Sequence, residues 1–429
     1  MVNLTREMKI TELSRVHRVF LLILVSMGSS IIYTPAYLKN VFYDPLMQAT
    51  GASNAEIGQM LSAYALSATI CYLPSGIVAD KFRVRTLGWV GFVGTAILTF
   101  VYAALPSIAM LYVVFVGMGI TTILIWWGIR FKLVRLISAE EDYSRNIGIS
   151  YGIYGAAGLI VNLINLAVIT WMAQNMILAV RVLLIILGVI ILLLGVLSFL
   201  FIPKFENEIV QGKSSFDFGM VKQALGNPVV WLAAATMFFV YFYYTGVNYT
   251  TPYLQSVMGA SLGIVSLVSI IRTYGVTLLS GPAFGFLANW SKSPSKIIIL
   301  GSVIAAGGLV LLELLPKGAA MTVIAAAVVV LLGFVANGVF GICSSQLAEG
   351  KVPLTYFGTA TGLLSVVGFL PDTFSSTWFG ALIDKQGNDA YTSIFYILTG
   401  VAMLACLSSL VLIAYVRKYG KKADVLAKE

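Results

Sequence analysis

The segment PSGIVADKFRVR, residues 74–85, ends a charge-free run that begins at 57 and adds three basic residues and one aspartate. A related segment, PAFGFLANWSKS at 282–293, ends another apolar run in the second half of the chain. Two copies in matching positions indicate that the chain contains a duplicated unit. The equivalent residues, each pair 209 positions apart, are Gly76 with Gly285 and Asp80 with Asn289.

Two further pairs of segments repeat in the same order. YTPAYL at 33–38 is similar to YTTPYL at 249–254, which follows 216 positions later. Residues 148–162 and 358–372 share three glycine pairs at one offset of 210. Three pairs of segments in one order, at nearly one offset, indicate an internal duplication.

The composition indicates a membrane protein. The chain has 429 residues, of which 59% are hydrophobic and only 10% are charged, whereas a soluble domain carries about 25% charged residues. We expect an all-α polytopic membrane protein, because apolar runs of the roughly 20 residues needed to cross a bilayer recur. The first run reads as a retained helix rather than a signal peptide. Twelve transmembrane helices are predicted, at about 19–38, 55–79, 86–105, 108–131, 146–172, 178–202, 229–254, 261–288, 297–315, 320–346, 355–382 and 390–416.

The charges predict the orientation. With the N-terminus inside, the inner segments hold 22 of the 27 Lys and Arg residues, and the outer loops hold only Lys39, Lys317 and Lys385. This is a strong positive-inside bias. It predicts a multi-pass protein of the plasma (inner) membrane with both termini in the cytoplasm. The net charge of +9 is therefore explained by topology and lipid headgroups, and no nucleic-acid face is expected.

The longest polar connection, 203–228, divides the helices into six and six. We predict an N-terminal six-helix bundle at 1–202, a cytoplasmic linker at 203–228 and a C-terminal six-helix bundle at 229–429. Bundles of six helices keep the same topology, so the two are related by an axis along the membrane normal. One class of secondary transporter has this geometry.

A chain of twelve helices in two halves, with G-x-x-x-D-K-x-R-x-R after helix 2, resembles the major facilitator superfamily. The resemblance implies a secondary transporter that works by alternating access, and a latch role for the motif in the outward-facing state. Two features depart from the family pattern. Phe82 and Val84 stand where glycine is frequent, and 111–120 lacks the arginine often linked to proton coupling. The residues assigned to gating are Gly76, Asp80, Lys81, Arg83 and Arg85, with Gly285 and Asn289 in the degenerate second copy.

The motif has a physical rationale. Glycine at 76 lets two helix backbones approach closely, and Asp80 is suited to accept hydrogen bonds from a helix N-terminus, whose dipole favours an anion. The alternative is a purely topogenic cluster, since three basic residues hold a loop inside without any latch.

Arg272 stands alone in SLVSIIRTYGVTLLS, residues 266–280, with the nearest charges at Lys222 and Lys292. Counted from the ends of their helices at 1.5 Å per residue, Arg272 and Asp372 lie roughly 16 and 15 Å deep. A charge at that depth costs about 3 kcal/mol or more, so such residues face a partner or a cavity. The two residues either form a structural ion pair or form a site in which Arg272 binds a carboxylate or phosphate.

The repeat places neutral residues opposite both charges. Asn162 is the counterpart of Asp372, and Ala63 is the counterpart of Arg272. The duplicated scaffold therefore does not require the charges, which favours function over structure. Other candidates for the substrate site are polar or aromatic residues on the cavity-lining helices, although tyrosines near helix ends also serve as interfacial anchors. They are Tyr33, Asn162, Tyr241, Tyr244, Asn248 and Asn337.

Three further cations, Arg130, Lys132 and Arg135, follow Trp126 and Trp127 near the inner end of helix 4. We expect them to set topology or to act as gate residues rather than to form a central site. The weaker similarity of WWGIRFKLVR and of helix 11 to a sugar-phosphate and organic-anion permease branch agrees with an anionic solute.

The sequence thus predicts a secondary active transporter for a small organic anion, a carboxylate or sugar phosphate, with Asp372 as the carboxylate of any coupling proton. The protein is expected to be a monomer. The alternatives are efflux of hydrophobic or cationic compounds and a transporter-like solute sensor. An enzyme is not expected, because no serine–histidine pair, HExxH motif or phosphate-binding loop occurs. No cofactor or metal is expected, and the three cysteines lie in apolar helices without metal spacing.

Overall fold

The computed structural model describes residues 7–138, 142–206, 208–209, 218–353 and 355–426. Part of the predicted linker, 210–217, lies outside these residues. The chain divides into two compact units, Met1–Ser214 and Ser215–Glu429, and each is described by itself.

The first unit is a bundle of helices with one short pair of strands. Its helices are α1 Arg15–Ile31, α2 Thr34–Tyr37, α3 Tyr43–Thr50, α4 Asn54–Lys81, α5 Val84–Ala103, α6 Ile108–Gly119, α7 Gly128–Leu136, α8 Tyr143–Trp171 and α9 Met176–Phe201. A π-helical segment, Ile120–Trp127, joins α6 to α7. Strands β1 Glu7–Met8 and β2 Lys204–Phe205 pair in parallel.

The second unit is also helical. Its helices are α10 Phe218–Gly226, α11 Pro228–Gly246, α12 Thr250–Ser256, α13 Leu262–Ile270, α14 Thr277–Ser291, α15 Pro294–Leu314, α16 Thr322–Ile342, α17 Ser345–Glu349, α18 Phe357–Gly368, α19 Ser375–Gln386 and α20 Ala390–Leu426. A π-helical segment, Ile271–Gly275, joins α13 to α14, and a 3-10 turn, Val247–Tyr249, joins α11 to α12.

The described residues contain nine helical stretches that are long and apolar enough to cross a membrane, or eleven when two bent pairs are each counted as one span. The last stretch, Phe357–Lys418, has 62 residues, about three times the length of one crossing. It turns at Gly387, where φ is +59°, and α19 packs on α20. The turn divides the stretch into Phe357–Gln386 and Ala390–Lys418, each long enough for one crossing.

Three helix pairings occur in both units. In the first, α1 packs on α8, α4 on α6 and α5 on α9; in the second, α11 packs on α18, α14 on α16 and α15 on α20. These are the same pairings under the predicted duplication. The all-α fold with two pseudo-symmetric bundles is confirmed.

Candidate functional site

Arg272 is a buried cation on the π-helical segment between α13 and α14, with 2% of its surface exposed. Its Nη1 atom donates at 3.1 Å to the carbonyl oxygen of Val247 and to the hydroxyls of Thr250 and Thr251. Its Nη2 atom donates to Oδ1 of Asn248 at 2.8 Å. These four acceptors lie in the break between α11 and α12 and in the first turn of α12, and Nη2 also donates at 3.1 Å to the hydroxyl of the neighbouring Thr273.

The local structure explains why the arginine fits there. The 3-10 turn at Val247–Tyr249 interrupts the regular helical hydrogen bonds, which makes the carbonyl of Val247 available to a side chain. On the other side, Gly333 of α16 lies against the arginine. A Cβ atom at 333 would lie 2.3 Å from Cγ and 2.9 Å from the carbonyl oxygen of Arg272. Only glycine permits this close approach.

The oxygens of Val247, Asn248, Thr250 and Thr251 satisfy N–H groups of Arg272 that would be costly to bury alone. The result is an ordered guanidinium within a membrane-spanning segment, a feature usually associated with function.

Asp372 lies in a 3-10 turn, Leu370–Thr373, between α18 and α19, and is 3% exposed. Its Oδ2 atom accepts a hydrogen bond of 2.8 Å from the hydroxyl of Tyr241. The Tyr241 ring lies 5.7 Å from that of Tyr244 and 4.8 Å from that of Phe369, measured between ring centroids. The carboxylate therefore lies beside an aromatic wall built mainly from α11.

The second unit brings most of its predicted site residues together. Asn248 accepts a hydrogen bond from Arg272, and Tyr241 donates one to Asp372. Tyr244 lies between Tyr241 and Asn248 in the sequence, and its hydroxyl interacts electrostatically with Arg272. Asn337 donates to the carbonyl of Gly333 at 3.0 Å, one turn from the arginine contact. The direct pairing of Arg272 with Asp372 stays a prediction.

Two predicted site residues belong to the first unit. Asn162 is buried, with 1% exposure, and donates to the carbonyl of Gly158 at 2.9 Å. Tyr33 is partly buried and donates to the carbonyl of Thr122 at 3.3 Å. Both side chains are held by backbone carbonyls, and their role in substrate binding stays a prediction.

The loop motif is tied to the rest of the first unit by contacts that the sequence did not reveal. Arg83 pairs with Glu7 of β1 and lies 3.7 Å from Oε2 of Glu208 in the linker. Glu208 also accepts a hydrogen bond from the backbone N–H of Val84 at the start of α5. Burial raises the pKa of Glu208 above its usual range, although hydrogen bonds and nearby cations act in the opposite direction. The side chain of Glu208, which follows β2, therefore caps the N-terminus of α5 and contacts Arg83 of the loop motif.

The other gating candidates have varied environments. Arg85 is buried with its guanidinium 4.7 Å from the ring centre of Phe199, whereas Lys81 and Asn289 are exposed. A Cβ atom at Gly76 or Gly285 would meet no atom within 4 Å in the described part of the chain. The close backbone approach expected at Gly76 is therefore not made within its own unit. The latch role of the motif and of Asp80 stays a prediction.

Arg130 is the residue whose environment differs most from expectation. It is only 7% exposed, and its guanidinium carbon lies 4.3 and 5.2 Å from the ring centres of Tyr151 and Tyr154. A topogenic cation would be exposed to headgroups and water. The sequence signal for this environment was the pair Tyr151 and Tyr154, three residues apart on α8. Nothing in the sequence showed that this pair packs against α7.

A sequence model of the Major Facilitator Superfamily matches residues 19–375. The inner membrane protein YqcE of Escherichia coli (strain K12) is 29% identical over 363 residues, which cover 82% of this chain and 84% of that protein. The inner membrane protein YihN of the same organism is 24% identical over 412 residues, covering 95% and 97%.

Solved structures show the same fold. A bacterial homologue of the human lysosomal transporter Spinster, in an inward-facing and unoccupied conformation, has a TM-score of 0.76 at 15% identity, covering 95% of this chain and 98% of that chain. The nucleoside transporter NupG has a TM-score of 0.72 at 15% identity, covering 92% and 99%. At these identities the likeness extends to the fold alone.

Proposed function

This chain belongs to the Major Facilitator Superfamily, and we propose that it transports a small organic anion, a carboxylate or a sugar phosphate, by alternating access. As a member of this family it is a secondary transporter, and its relatives and its apolar helices make it a multi-pass inner-membrane protein. The anionic solute is the part that we propose.

The observation that carries the proposal is the environment of Arg272. The guanidinium is buried in a membrane-spanning segment and is held by hydroxyl, amide and carbonyl oxygens from one helix break. A carboxylate or phosphate offers two oxygens in the geometry that matches a guanidinium fork. The charge-assisted hydrogen bonds from Arg272 to such a solute are stronger than hydrogen bonds to a neutral oxygen.

The residues around Arg272 suit an organic rather than an inorganic anion. Tyr241, Tyr244 and Phe340 form a continuous aromatic surface, with the Tyr244 and Phe340 rings stacked at 4.9 Å between centroids. Aromatic and apolar walls with a few polar groups are typical of sites for small organic ligands. We assign the carbon skeleton of the solute to this surface and its charged group to Arg272.

A thermal-shift screen of the purified protein tests the proposal. Carboxylates and sugar phosphates are expected to raise the melting temperature of the wild type by mass action, and Arg272→Ala is expected to reduce the shift. Arg181→Gln is the matched control, because Arg181 is an exposed arginine within a different span, α9. An equal shift in Arg272→Ala would reject Arg272 as the anion-binding residue.

Efflux of hydrophobic cations is a second candidate, and one observation favours it. The Asp372 carboxylate lies beside several aromatic rings, including those of Tyr241 and Phe369, and a carboxylate with aromatic faces can bind an organic cation. Lipophilic cations in the same screen separate the two functions. A shift that depends on Asp372 and is unaffected by Arg272→Ala would favour efflux over anion transport.

A further inference from the structure

The first unit contains its own buried arginine. Arg130 lies on α7, directly after the π-helical segment Ile120–Trp127, and 93% of its surface is buried. Single π-helical turns inside α-helices are frequent at functional sites. A buried charge in an apolar span calls for a partner, because the loss of hydration is costly.

Three aromatic rings lie close to this guanidinium. Its carbon atom lies 4.3 Å from the ring centre of Tyr151, 5.2 Å from that of Tyr154 and 5.8 Å from that of Phe131. Aromatic rings stabilise the positive charge through cation–π interactions. They do not replace the oxygen acceptors that buried N–H groups need.

One edge is poorly satisfied. Its two donors are Nε and Nη2, whose N–H bonds point in parallel directions in a guanidinium. The Nη2 atom makes a long hydrogen bond of 3.4 Å to the Ser150 hydroxyl, and the buried Nε atom has no hydrogen-bond partner among the described residues. A buried donor without a partner is expensive, so this edge is suited to a group that arrives from outside the chain.

Ser150 is already bonded within the chain. Its hydroxyl oxygen accepts the long hydrogen bond from Arg130 and lies 2.7 Å from the hydroxyl of Ser26 on α1. The Ser26 hydroxyl also lies 2.6 Å from the carbonyl oxygen of Leu22, which takes its single proton, so Ser150 donates to Ser26. The hydrogen-bonding capacity that is left at this edge therefore belongs to Arg130 itself.

We propose that Nε and Nη2 of Arg130 form a binding site for an oxyanion, the carboxylate or phosphate group of a small molecule or a lipid. Two parallel N–H donors on one edge match the two oxygens of such a group, and the ring faces hold the guanidinium in position. The site belongs to the first unit and is separate from the Arg272 site, so it goes beyond the proposed function.

Equilibrium binding tests the inference with the full-length protein in phosphatidylcholine nanodiscs. The probes are labelled inorganic phosphate and labelled succinate. The wild type is expected to show two binding components, one of which weakens by about tenfold or more in Arg130→Gln, since charge-assisted bonds are lost. Arg135→Gln is the matched control, because Arg135 is exposed on the same helix, and it is expected to keep both components.

Arg130→Lys keeps the test valid if Arg130→Gln does not fold. Lysine retains the charge and its interaction with the rings but lacks the paired donors, so it is expected to lose the same component. Unchanged binding in Arg130→Lys and in any folded Arg130→Gln would overturn the inference and would indicate that only water occupies the edge. Absence of probe binding in the wild type would overturn it as well.

Two further arms separate the remaining possibilities. Phosphatidylglycerol in the nanodiscs distinguishes the source of the oxyanion: competition with the Arg130 component identifies a lipid headgroup, and no competition identifies a soluble anion. Arg272→Gln separates the two sites. If Arg272→Gln keeps both binding components while Arg130→Gln loses one, the proposed function fails and this inference stands. If Arg130→Gln keeps both binding components while Arg272→Gln loses one, this inference alone is overturned.

Discussion

The backbone and the aliphatic stem of Arg272 lie against Gly333, with no room for a side chain at 333. Substitution by alanine would place Cβ 2.3 Å from Cγ of Arg272 and 2.9 Å from its carbonyl oxygen. Such overlap in a packed interior shifts neighbouring atoms. The position of the arginine over Val247, Asn248, Thr250 and Thr251 therefore depends on a glycine in another helix.

Gly333→Ala is expected to lower the free energy of unfolding by about 1–3 kcal/mol and to weaken anion binding, because the guanidinium is displaced from its acceptors. Thermal unfolding and ligand shift, measured together, check both effects. Gly341→Ala on the same helix is the control, since its Cβ would meet no atom within 4 Å. Equal behaviour of the two variants would show that the close contact at 333 has no consequence.

Asp372 is the residue to which we assign proton coupling. Asparagine keeps the shape and can still accept the hydrogen bond from Tyr241, but it cannot bind or release a proton in the working pH range. Asp372→Asn is therefore expected to retain solute exchange and to lose uphill uptake driven by a pH gradient. Uptake and counterflow in proteoliposomes measure the two activities separately. Normal uphill uptake in the variant would remove Asp372 from the coupling step.

The charged residues of the site were predictable because they stand out in apolar runs. Arg272, Asp372 and the Tyr241–Tyr244–Asn248 stripe could all be selected from charge, polarity and spacing. The acceptors Val247, Thr250 and Thr251 could not, because they become available only where α11 ends. The burial of Arg130 depends on rings contributed by α8, and that contact is not visible in the sequence.

At the scale of elements, the long apolar helices were predictable and their interruptions were not. Helix 1 was expected as one span over 19–38, but α1 ends at Ile31 and α2 covers Thr34–Tyr37. The equivalent helix 7 breaks between α11 and α12. Both breaks fall in the repeated YTPAYL and YTTPYL segments, whose prolines lack the N–H that continues a helix. The two π-helical segments carry no such signal, since neighbouring helices determine them.

The linker was expected to be a polar cytoplasmic connection, and no strand was predicted in it or in the N-terminal tail. Instead, β1 pairs with β2, and Glu208 caps α5 beside Arg83. Two-residue strands carry almost no pattern, so sequence reasoning had no basis for the pairing. The only sequence signal for this contact was the carboxylate of Glu208, which lies just after the sixth helix in a chain with few acidic residues.

Glu208 gives the linker a pH dependence with a defined sign. Burial raises its folded-state pKa above the ordinary value of 4.5, so the folded protein binds this proton more tightly than the unfolded chain does. The contribution of Glu208 to stability is fully present below pH 4.5 and is lost as the pH rises through the raised folded pKa. Acidification through that window is therefore expected to stabilise the wild type.

Glu208→Gln is expected to remove this dependence, because glutamine resembles protonated glutamate and does not titrate. Thermal unfolding of both proteins across the same pH range isolates the contribution of residue 208. If the difference between wild type and variant stays constant with pH, or grows in the opposite direction, the assignment to a buried Glu208 is wrong.

At the scale of the whole molecule, the duplication explains the architecture. The positions at which the two copies differ in charge point to function. The three helix pairings recur in both units, as segments repeating at offsets of 209–216 predict. Arg272 has Ala63 as its counterpart, and Asp372 has Asn162. A scaffold that is stable with neutral residues in one copy does not need charges in the other. The charges are therefore best explained by the solute.

The most direct test of this account is uptake into proteoliposomes of the organic anion that gives the largest stabilisation of the wild type. Wild type and Arg181→Gln are expected to accumulate the anion. Arg272→Ala is expected to bind it more weakly and to transport it at background level, although the protein remains folded. Normal binding and uptake by Arg272→Ala would contradict the claim that Arg272 recognises the solute.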